Sequence, residues 1–149
     1  MHDSPIDEIT NTILSAKRRR FLRSQPVFER YAPATEAELY RLATGLNFRF
    51  VLGLSKWLRQ AGYGDIDGAL SFREGYFSVI EGGTQNGYVM FAQDNAGNHY
   101  AFNPENGSIH FISHASQHTT QISADFLSFL QELVKRDYQL AEWINTLPA

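Results

Sequence analysis

Apolar side chains in the first part of the chain recur at steps of mostly three or four residues. They are Ile6, Ile9, Ile13, Ala16 and Phe21. This spacing is typical of one face of an amphipathic helix, so we predict a helix over about residues 5–23. Pro5 suits its first turn, and the basic run at residues 17–20 would lie toward its C-terminus, where the helix dipole favours cations.

Two more helices are predicted before the pattern changes. Residues 25–35, QPVFERYAPAT, contain two prolines and predict a linker. Thr35 and Glu38 have the spacing of a capping box, and they predict a short helix that Gly45 ends. Asn47 is placed to cap a third helix with a broad apolar face, which the GYG sequence at residues 62–64 ends.

The period of the pattern changes to two after residue 68. Five short runs rich in aromatic and β-branched residues follow: ALSFREG, YFSVIEGG, GYVMFAQD, NHYAFNP and SIHFISHA. Because their connections are too short for crossover helices, they predict antiparallel strands. Helical spacing returns from Ser123. We therefore predict an α+β fold with N-terminal helices, a mainly antiparallel sheet of five or six strands built from a central meander, and one or two C-terminal helices packed on one face.

The polar stretch FAQDNAGNHYAFNP, residues 91–104, has two interpretations. A calcium loop needs oxygen ligands at positions 1, 3 and 5 and a glycine at position 6. Counted from Asp94, Ala96 stands at the third position and Gly97 comes too early. A hairpin turn fits better, because Gly97 can take a positive φ and Asn98 tolerates a turn conformation. Gly107 then marks a second turn, and the two turns predict a three-stranded meander.

Composition narrows the classes of function. The formal net charge of −3 gives no overall attraction to nucleic acid or to an anionic membrane. The absence of cysteine excludes disulfides and thiolate ligands or nucleophiles. No apolar run approaches the roughly 20 residues that span a bilayer, and residues 1–10 lack the features of a signal peptide. We predict a soluble cytoplasmic protein, a monomer or weak dimer, that binds neither nucleic acid nor membrane directly.

Two groups of residues suggest alternative chemistry. His110, His114 and His118 are spaced by four, as metal ligands on a helix would be, but the local pattern alternates like a strand, along which His110 and His114 would lie about 13 Å apart. The basic residues 17–23 could contact phosphates, although a solvated helix face explains them too. GxSxG, HExxH, P-loop and dinucleotide-binding signatures do not occur. We predict no catalytic residue, no metal ligand and no cofactor.

Turn and core residues, all but Trp57 in the second half of the chain, form a pattern that also occurs in a known protein family. The positions that carry it are Trp57, Asp94, Gly97, Asn98, Tyr100, Gly107, His114, Ser123, Phe126, Phe129 and Leu130. Over about residues 87–133 the order of polar turn, aromatic strand, second turn and Ser-capped helix resembles the SMI1/KNR4 family, also called the SUKH superfamily. The resemblance is weaker before the sheet, where Trp57 stands in the family's preceding helix.

The resemblance implies a non-enzymatic scaffold that binds another protein. Many bacterial relatives are immunity proteins that neutralise a cognate toxin, often a nuclease, and fungal relatives are interaction proteins. The length of 149 residues is typical of one domain, so we predict a single SMI1/KNR4-like domain over residues 1–149, with an N-terminal helix and linker at 1–33 and a core at 34–147. Two alternatives stay open: a regulatory interaction protein with another partner, and a small metal-dependent hydrolase that uses His99, His110 or His114 with Asp94.

The side chains most available to a basic partner are acids in the turns and in the loop before the sheet. They are Asp65, Asp67, Glu74, Glu81 and Asp94. Loops carry binding residues more often than cores do. We predict these five acids as partner-binding residues.

Overall fold

The computed structural model describes residues 4–116 and 118–147, with the backbone alone at residue 20. Its helices are α1 (Pro5–Ser15), α2 (Glu36–Leu46), α3 (Leu54–Ala61), α4 (Phe126–Lys135) and α5 (Leu140–Asn145). Its strands are β1 (Lys17–Arg20), β2 (Arg23–Pro26), β3 (Phe28–Ala32), β4 (Tyr63–Ile66), β5 (Leu70–Phe72), β6 (Ser78–Val79), β7 (Val89–Asp94), β8 (His99–Phe102), β9 (Ile109–Ile112) and β10 (Thr119–Ser123). The predicted α+β class is confirmed.

Within the described residues, eight strands form one sheet and two strands form a separate ribbon. The sheet has the order β10-β9-β8-β7-β5-β4-β3, and β6 pairs with the first residues of β7. Every pair is antiparallel. The predicted meander of β7, β8 and β9 is confirmed, and the sheet is larger than the five or six strands predicted.

Helices α3 and α4 cover one face of the sheet through aromatic side chains. The Trp57 ring of α3 lies 5.6 Å from the Phe72 ring of β5, and the Phe126 ring of α4 lies 5.9 Å from the Phe91 ring of β7. Ile13 of α1 belongs to the same buried core. Each such side chain contributes about 1.5–3 kcal/mol when it is buried. This cluster therefore fixes the helices to one face of the sheet.

The prediction of a helix up to residue 23 is wrong beyond residue 15. Ala16 has an extended backbone, and residues 17–26 form the β1–β2 hairpin. Two contacts favour the hairpin: the Arg18 guanidinium donates to the Asp67 carboxylate at 3.0 Å, and the Val27 amide donates to the Ala16 carbonyl at 3.0 Å. Neither partner is close enough in sequence for helical spacing to reveal it.

The predicted linker at residues 25–35 is also wrong in part, because β3 lies inside it and pairs with β4. The Thr35 cap is confirmed, since its hydroxyl oxygen accepts from the Glu38 amide at 3.2 Å. Gly45 does not end α2 but lies within it. Asn47 caps the C-terminus of α2 with a left-handed φ of 57°, instead of starting the next helix.

The third and fourth helices start later than predicted. Helix α3 begins after Gly53 and has Gly62 as its C-cap, so its predicted end is confirmed. Before α4, the polar residues at 119–123 form the edge strand β10, which the sequence pattern did not predict. Asp125 is the N-cap of α4, because its carboxylate accepts from the Ser128 amide at 2.7 Å. Ser123 therefore ends a strand and does not cap the helix.

Candidate functional site

The sheet face opposite to α3 and α4 carries one continuous row of cross-strand neighbours. Successive strand residues point to opposite faces, so Ser71, between the buried Leu70 and Phe72, points away from the helices. The strand register extends this position into the row Glu29, Asp65, Ser71, Gln93, His99, Ile112 and Thr119. We call the surface that carries this row the open face.

A groove of about 470 Å³ lies on the open face. Its lining residues are Ile80, Glu81, Gly82, Gln85, Met90, His99, Ile112, Ser113, His114 and Thr119. The lining mixes apolar side chains, such as Met90 and Ile112, with amide, hydroxyl, imidazole and carboxylate groups. This mixture is typical of surfaces that bind another protein, in which apolar contacts are surrounded by polar ones.

The loop between β6 and β7 forms one wall of the groove and is held by its own hydrogen bonds. The Ile80 amide donates to the Tyr88 carbonyl at 2.8 Å, and the Gly87 amide donates to the Ile80 carbonyl at 2.8 Å. Farther out, the Gly82 amide donates to the Asn86 side-chain oxygen at 2.7 Å. These bonds present Glu81 and the neighbouring lining residues in one arrangement, which lowers the entropy cost of binding.

Two histidines contribute to the groove. Burial lowers the pKa of His99, and the nearby His114 lowers it further, while the Asp94 carboxylate acts in the opposite direction. His99 is therefore a neutral ring near pH 7. Its Nδ1 atom is buried and has no hydrogen-bond partner among the described residues. Unpaired buried polar atoms are uncommon in folded proteins, and among the described residues the Thr10 hydroxyl and the Trp57 indole nitrogen, neither of which lines the groove, share this condition.

His110, the third histidine of the hydrolase hypothesis, is held by contacts of its own. Its Nε2 lies 2.8 Å from the Ser108 hydroxyl, and its ring centroid lies 4.8 Å from that of Tyr88. Burial lowers its pKa as well. Across residues 4–116 and 118–147, no group of three His, Cys, Asp or Glu side chains is placed to hold a metal ion. The structure does not bring His99, His110, His114 and Asp94 together as a ligand set.

The Asp94 carboxylate accepts hydrogen bonds from the turn that follows it and from β8. One carboxylate oxygen accepts from the amides of Ala96 and Asn98, both at 3.0 Å. The other accepts from the Asn98 side-chain amide at 3.1 Å and from the Tyr100 hydroxyl at 2.8 Å. Burial raises the pKa of Tyr100, with a further contribution from Asp94, so the hydroxyl keeps the proton that it donates. The carboxylate predicted to contact a partner thus holds a hairpin together.

Asp65 and Asp67 lie near each other on β4 and in the turn after it, and both carboxylates have partners within the chain. Asp65 accepts hydrogen bonds from the hydroxyls of Tyr31 and Ser71. Asp67 pairs with Arg18, and its side chain is only 10% exposed. A protein partner would have to compete with these contacts.

The two remaining acids are exposed. Glu74 begins a 3-10 helix between β5 and β6, outside the residues that line the groove. Its charge contributes to raising the pKa of Tyr63 to about 12, where burial is the largest cause. Glu81 lines the groove directly. Of the five acids predicted from the sequence, Glu81 is the one that the structure places in this site.

The family-pattern residues have structural roles. Gly97 and Gly107 have φ angles of 85° and 79°, which favour glycine at these turns. The Asn98 side-chain oxygen accepts from the His114 amide at 2.9 Å and so ties the Asp94 turn to the segment after β9. This segment forms part of the groove wall, so the turn positions the site without entering it.

The other pattern residues lie in the core or beside it. Trp57 and Phe126 are fully buried between the helices and the sheet. The Ser123 hydroxyl donates to the Asp125 carbonyl at 2.8 Å and stabilises the chain where it enters α4. The pattern thus identifies a fold and not a set of contact residues.

Sequence reasoning missed most of the groove. Met90, Ile112 and Thr119 were not predicted as site residues, and His99 was considered only as a metal ligand. One signal that could have found them is the alternation of aromatic residues with polar or small ones along β8 and β9, although a bulge between Met90 and Ala92 interrupts this alternation in β7. The strand register that brings them into one groove cannot be read from alternation alone.

Comparison with known proteins supports the fold assignment. The model of the SMI1 / KNR4 family (SUKH-1) matches residues 33–132, which is more than half of the 149-residue chain. The match spans α2 to most of α4, including the whole groove. No curated protein and no solved structure gives a significant match that would add a nearer relative. The chain belongs to the SMI1/KNR4 (SUKH-1) family.

Proposed function

We propose that the protein is a non-enzymatic binding module of the immunity type, which neutralises a cognate toxin by docking it on the open face. The observation that carries the proposal is the groove, with its mixed apolar and polar lining and its hydrogen-bonded loop wall. Family membership supports the general role, since the SUKH family implies a protein partner.

The charges near the groove favour a basic partner surface. Glu81 lines the groove and is exposed, and the exposed Glu29 extends the negative charge of the same face toward β3. A nuclease toxin would present a basic surface, because it must bind phosphates. Complementary charges of this kind speed association and select the partner more than they raise affinity.

A survival assay in cells that produce a toxin tests this proposal. The protein is co-expressed with a candidate toxin domain taken from the genes adjacent to its own, and cell survival is measured for the wild type and for Met90→Arg and Glu81→Lys. Both changes alter the groove without touching the aromatic core. We expect each to lower affinity by about 10- to 100-fold, as loss of a central interface contact does, and to reduce survival accordingly.

Glu8→Lys provides the matched control. It makes the same change of charge as Glu81→Lys, but at an exposed position on α1, away from the open face. Circular dichroism and thermal unfolding should show that all three variants fold. Full protection by both groove variants would contradict docking on the open face. No protection by the wild type would remove the immunity role while leaving the family assignment intact.

A further inference from the structure

The β1–β2 hairpin has an apolar tip that no part of the described chain covers. Its two-residue turn is Phe21-Leu22, and these side chains are 99% and 90% exposed. Exposed hydrophobic residues are common singly, but an adjacent aromatic and aliphatic pair at the end of a protruding hairpin is not explained by folding.

The turn also lacks the residues that such a hairpin favours. Two-residue hairpin turns require a positive φ, and Asn-Gly or Asp-Gly normally supplies it. Phe21 takes a φ of 58°, which is unfavourable for a bulky side chain. The chain therefore keeps Phe and Leu at a position where neither stabilises the folded state.

The base of the hairpin, in contrast, is firmly attached. The Arg18 guanidinium donates to the Asp67 carboxylate at 3.0 Å and to the Asp137 carbonyl at 3.1 Å. Val27, directly after β2, is buried in the core. The base is thus fixed to the domain, while the side chains of the tip stay exposed. The hairpin lies outside residues 33–132, the part that matches the family.

Charge is segregated on the same element. Residues 17–23 contain five of the 13 Lys and Arg of the chain, and residues 17–26 contain none of its 16 Asp and Glu. The net charge of −3 is therefore the sum of a large positive charge on the hairpin and a larger negative charge on the rest of the chain. The prediction that the protein does not bind membranes used only the net charge and did not consider where along the chain the charges lie.

We propose that the hairpin docks the protein on an anionic membrane surface, with Phe21 and Leu22 inserted at the boundary between headgroups and acyl chains. Arg19 and Arg23 flank the tip on the two strands and would lie at the level of the lipid phosphates. Apolar insertion and attraction to anionic lipid add together in peripheral binding of this kind. It needs no spanning segment, and none of the helices described here is long and apolar enough to provide one.

A membrane explains the tip better than nucleic acid does. Stacking on bases would use the Phe21 ring but would leave the aliphatic Leu22 without a role. A long track of phosphates would also bring the acidic remainder of the protein close to the polyanion. Insertion of a two-residue tip uses both side chains and keeps the acidic part at a distance, where salt screens it.

Vesicle co-sedimentation of the full chain tests the proposal. The vesicles are phosphatidylcholine alone or phosphatidylcholine with about one-third phosphatidylglycerol, at low and high salt. We expect binding to the anionic vesicles, loss of binding without anionic lipid, and strong weakening as salt rises. Phe21→Asn with Leu22→Gly, which suits the turn, should weaken binding by at least about tenfold.

Tyr40→Ser is the control, because Tyr40 is an exposed aromatic residue on α2, 72% accessible, and should not affect binding. Equal binding by the tip variant, equal binding to neutral vesicles, or no binding by the wild type would overturn the proposal. Tighter binding to a duplex oligonucleotide that does not depend on Phe21 and Leu22 would also overturn it. Glu81→Lys should bind vesicles normally, so this test is independent of the groove.

Discussion

The β7–β8 turn and the β1–β2 turn join antiparallel strands in opposite ways. In the first, Gly97 supplies the positive φ, and Asp94 accepts four hydrogen bonds from the turn and the strand after it. In the second, Phe21 takes the positive φ, and the two turn side chains are almost fully exposed. The polar turn therefore uses its carboxylate inside the chain, whereas the apolar turn leaves two side chains without contacts in the described structure.

The difference shows how to separate residues that build the fold from residues available for binding. A polar group whose hydrogen bonds are all made inside the chain has little left to offer a partner. A side chain that contradicts local preference and makes no contact must be explained by something outside the fold. By this criterion the Asp94 carboxylate is engaged inside the chain, and we propose the groove and the hairpin tip as the functional candidates.

The largest effect on stability is expected from Asp94→Ala. It removes the acceptor of two turn amides and leaves the Tyr100 hydroxyl, on a fully buried residue, without its partner. We expect a loss of about 2–4 kcal/mol in the free energy of unfolding, measured by urea denaturation. Asn95→Ala, at the exposed neighbouring position, is the control and should change stability by less than about 0.5 kcal/mol. Equal stability of the two variants would show that the turn network matters little.

A smaller effect is expected from Gly97→Ala. A Cβ atom at residue 97 would meet no neighbour within 4 Å, so the cost comes from the φ of 85° alone. We expect a loss of about 1–2 kcal/mol, measured as a lower denaturation midpoint. Gly75→Ala is the matched control, because residue 75 has equal space and no positive φ. If both substitutions had the same effect, the backbone conformation would not be the reason for glycine at residue 97.

The smallest effect, and the opposite sign, is expected from replacing Phe21 and Leu22 with Asn and Gly. Because the new residues suit the turn and the old ones pack on nothing, the free energy of unfolding should stay the same or rise by about 0.5 kcal/mol. Thermal unfolding of the double variant beside the wild type measures it. A loss of more than about 1 kcal/mol would mean that the tip contributes to folding, and the contrast between the two turns would disappear.

The sequence predicts the local parts of this fold well. The β7-β8-β9 meander follows from alternation and from Gly97 and Gly107, since its signals lie within the strands and turns themselves. The Thr35 cap is local in the same sense. The β1–β2 hairpin and β10 could not be predicted in this way. Arg18 finds its partners at Asp67 and Asp137, and the polar β10 becomes a strand because β9 offers it an edge.

The candidate site was predicted less well for the same reason. Glu81 was found because it is an acid in a glycine-rich loop, but the residues around it come from that loop, from four strands and from the segment after β9, and only the folded chain brings them together. Asp94 was predicted as a contact because nothing in the sequence reveals that the Tyr100 hydroxyl bonds to it. Glu81 and Asp94 differ in their exposure and in their hydrogen-bond partners, and these two properties depend on the folded chain.

Amide hydrogen exchange of the protein with and without the toxin domain used in the survival assay tests the central proposal most directly. Docking on the open face predicts slower exchange in the groove loop at residues 80–87 and in the segment at residues 113–116, with little change in α1. Protection confined to α1 and α3, with exchange in the groove loop unchanged, would contradict it.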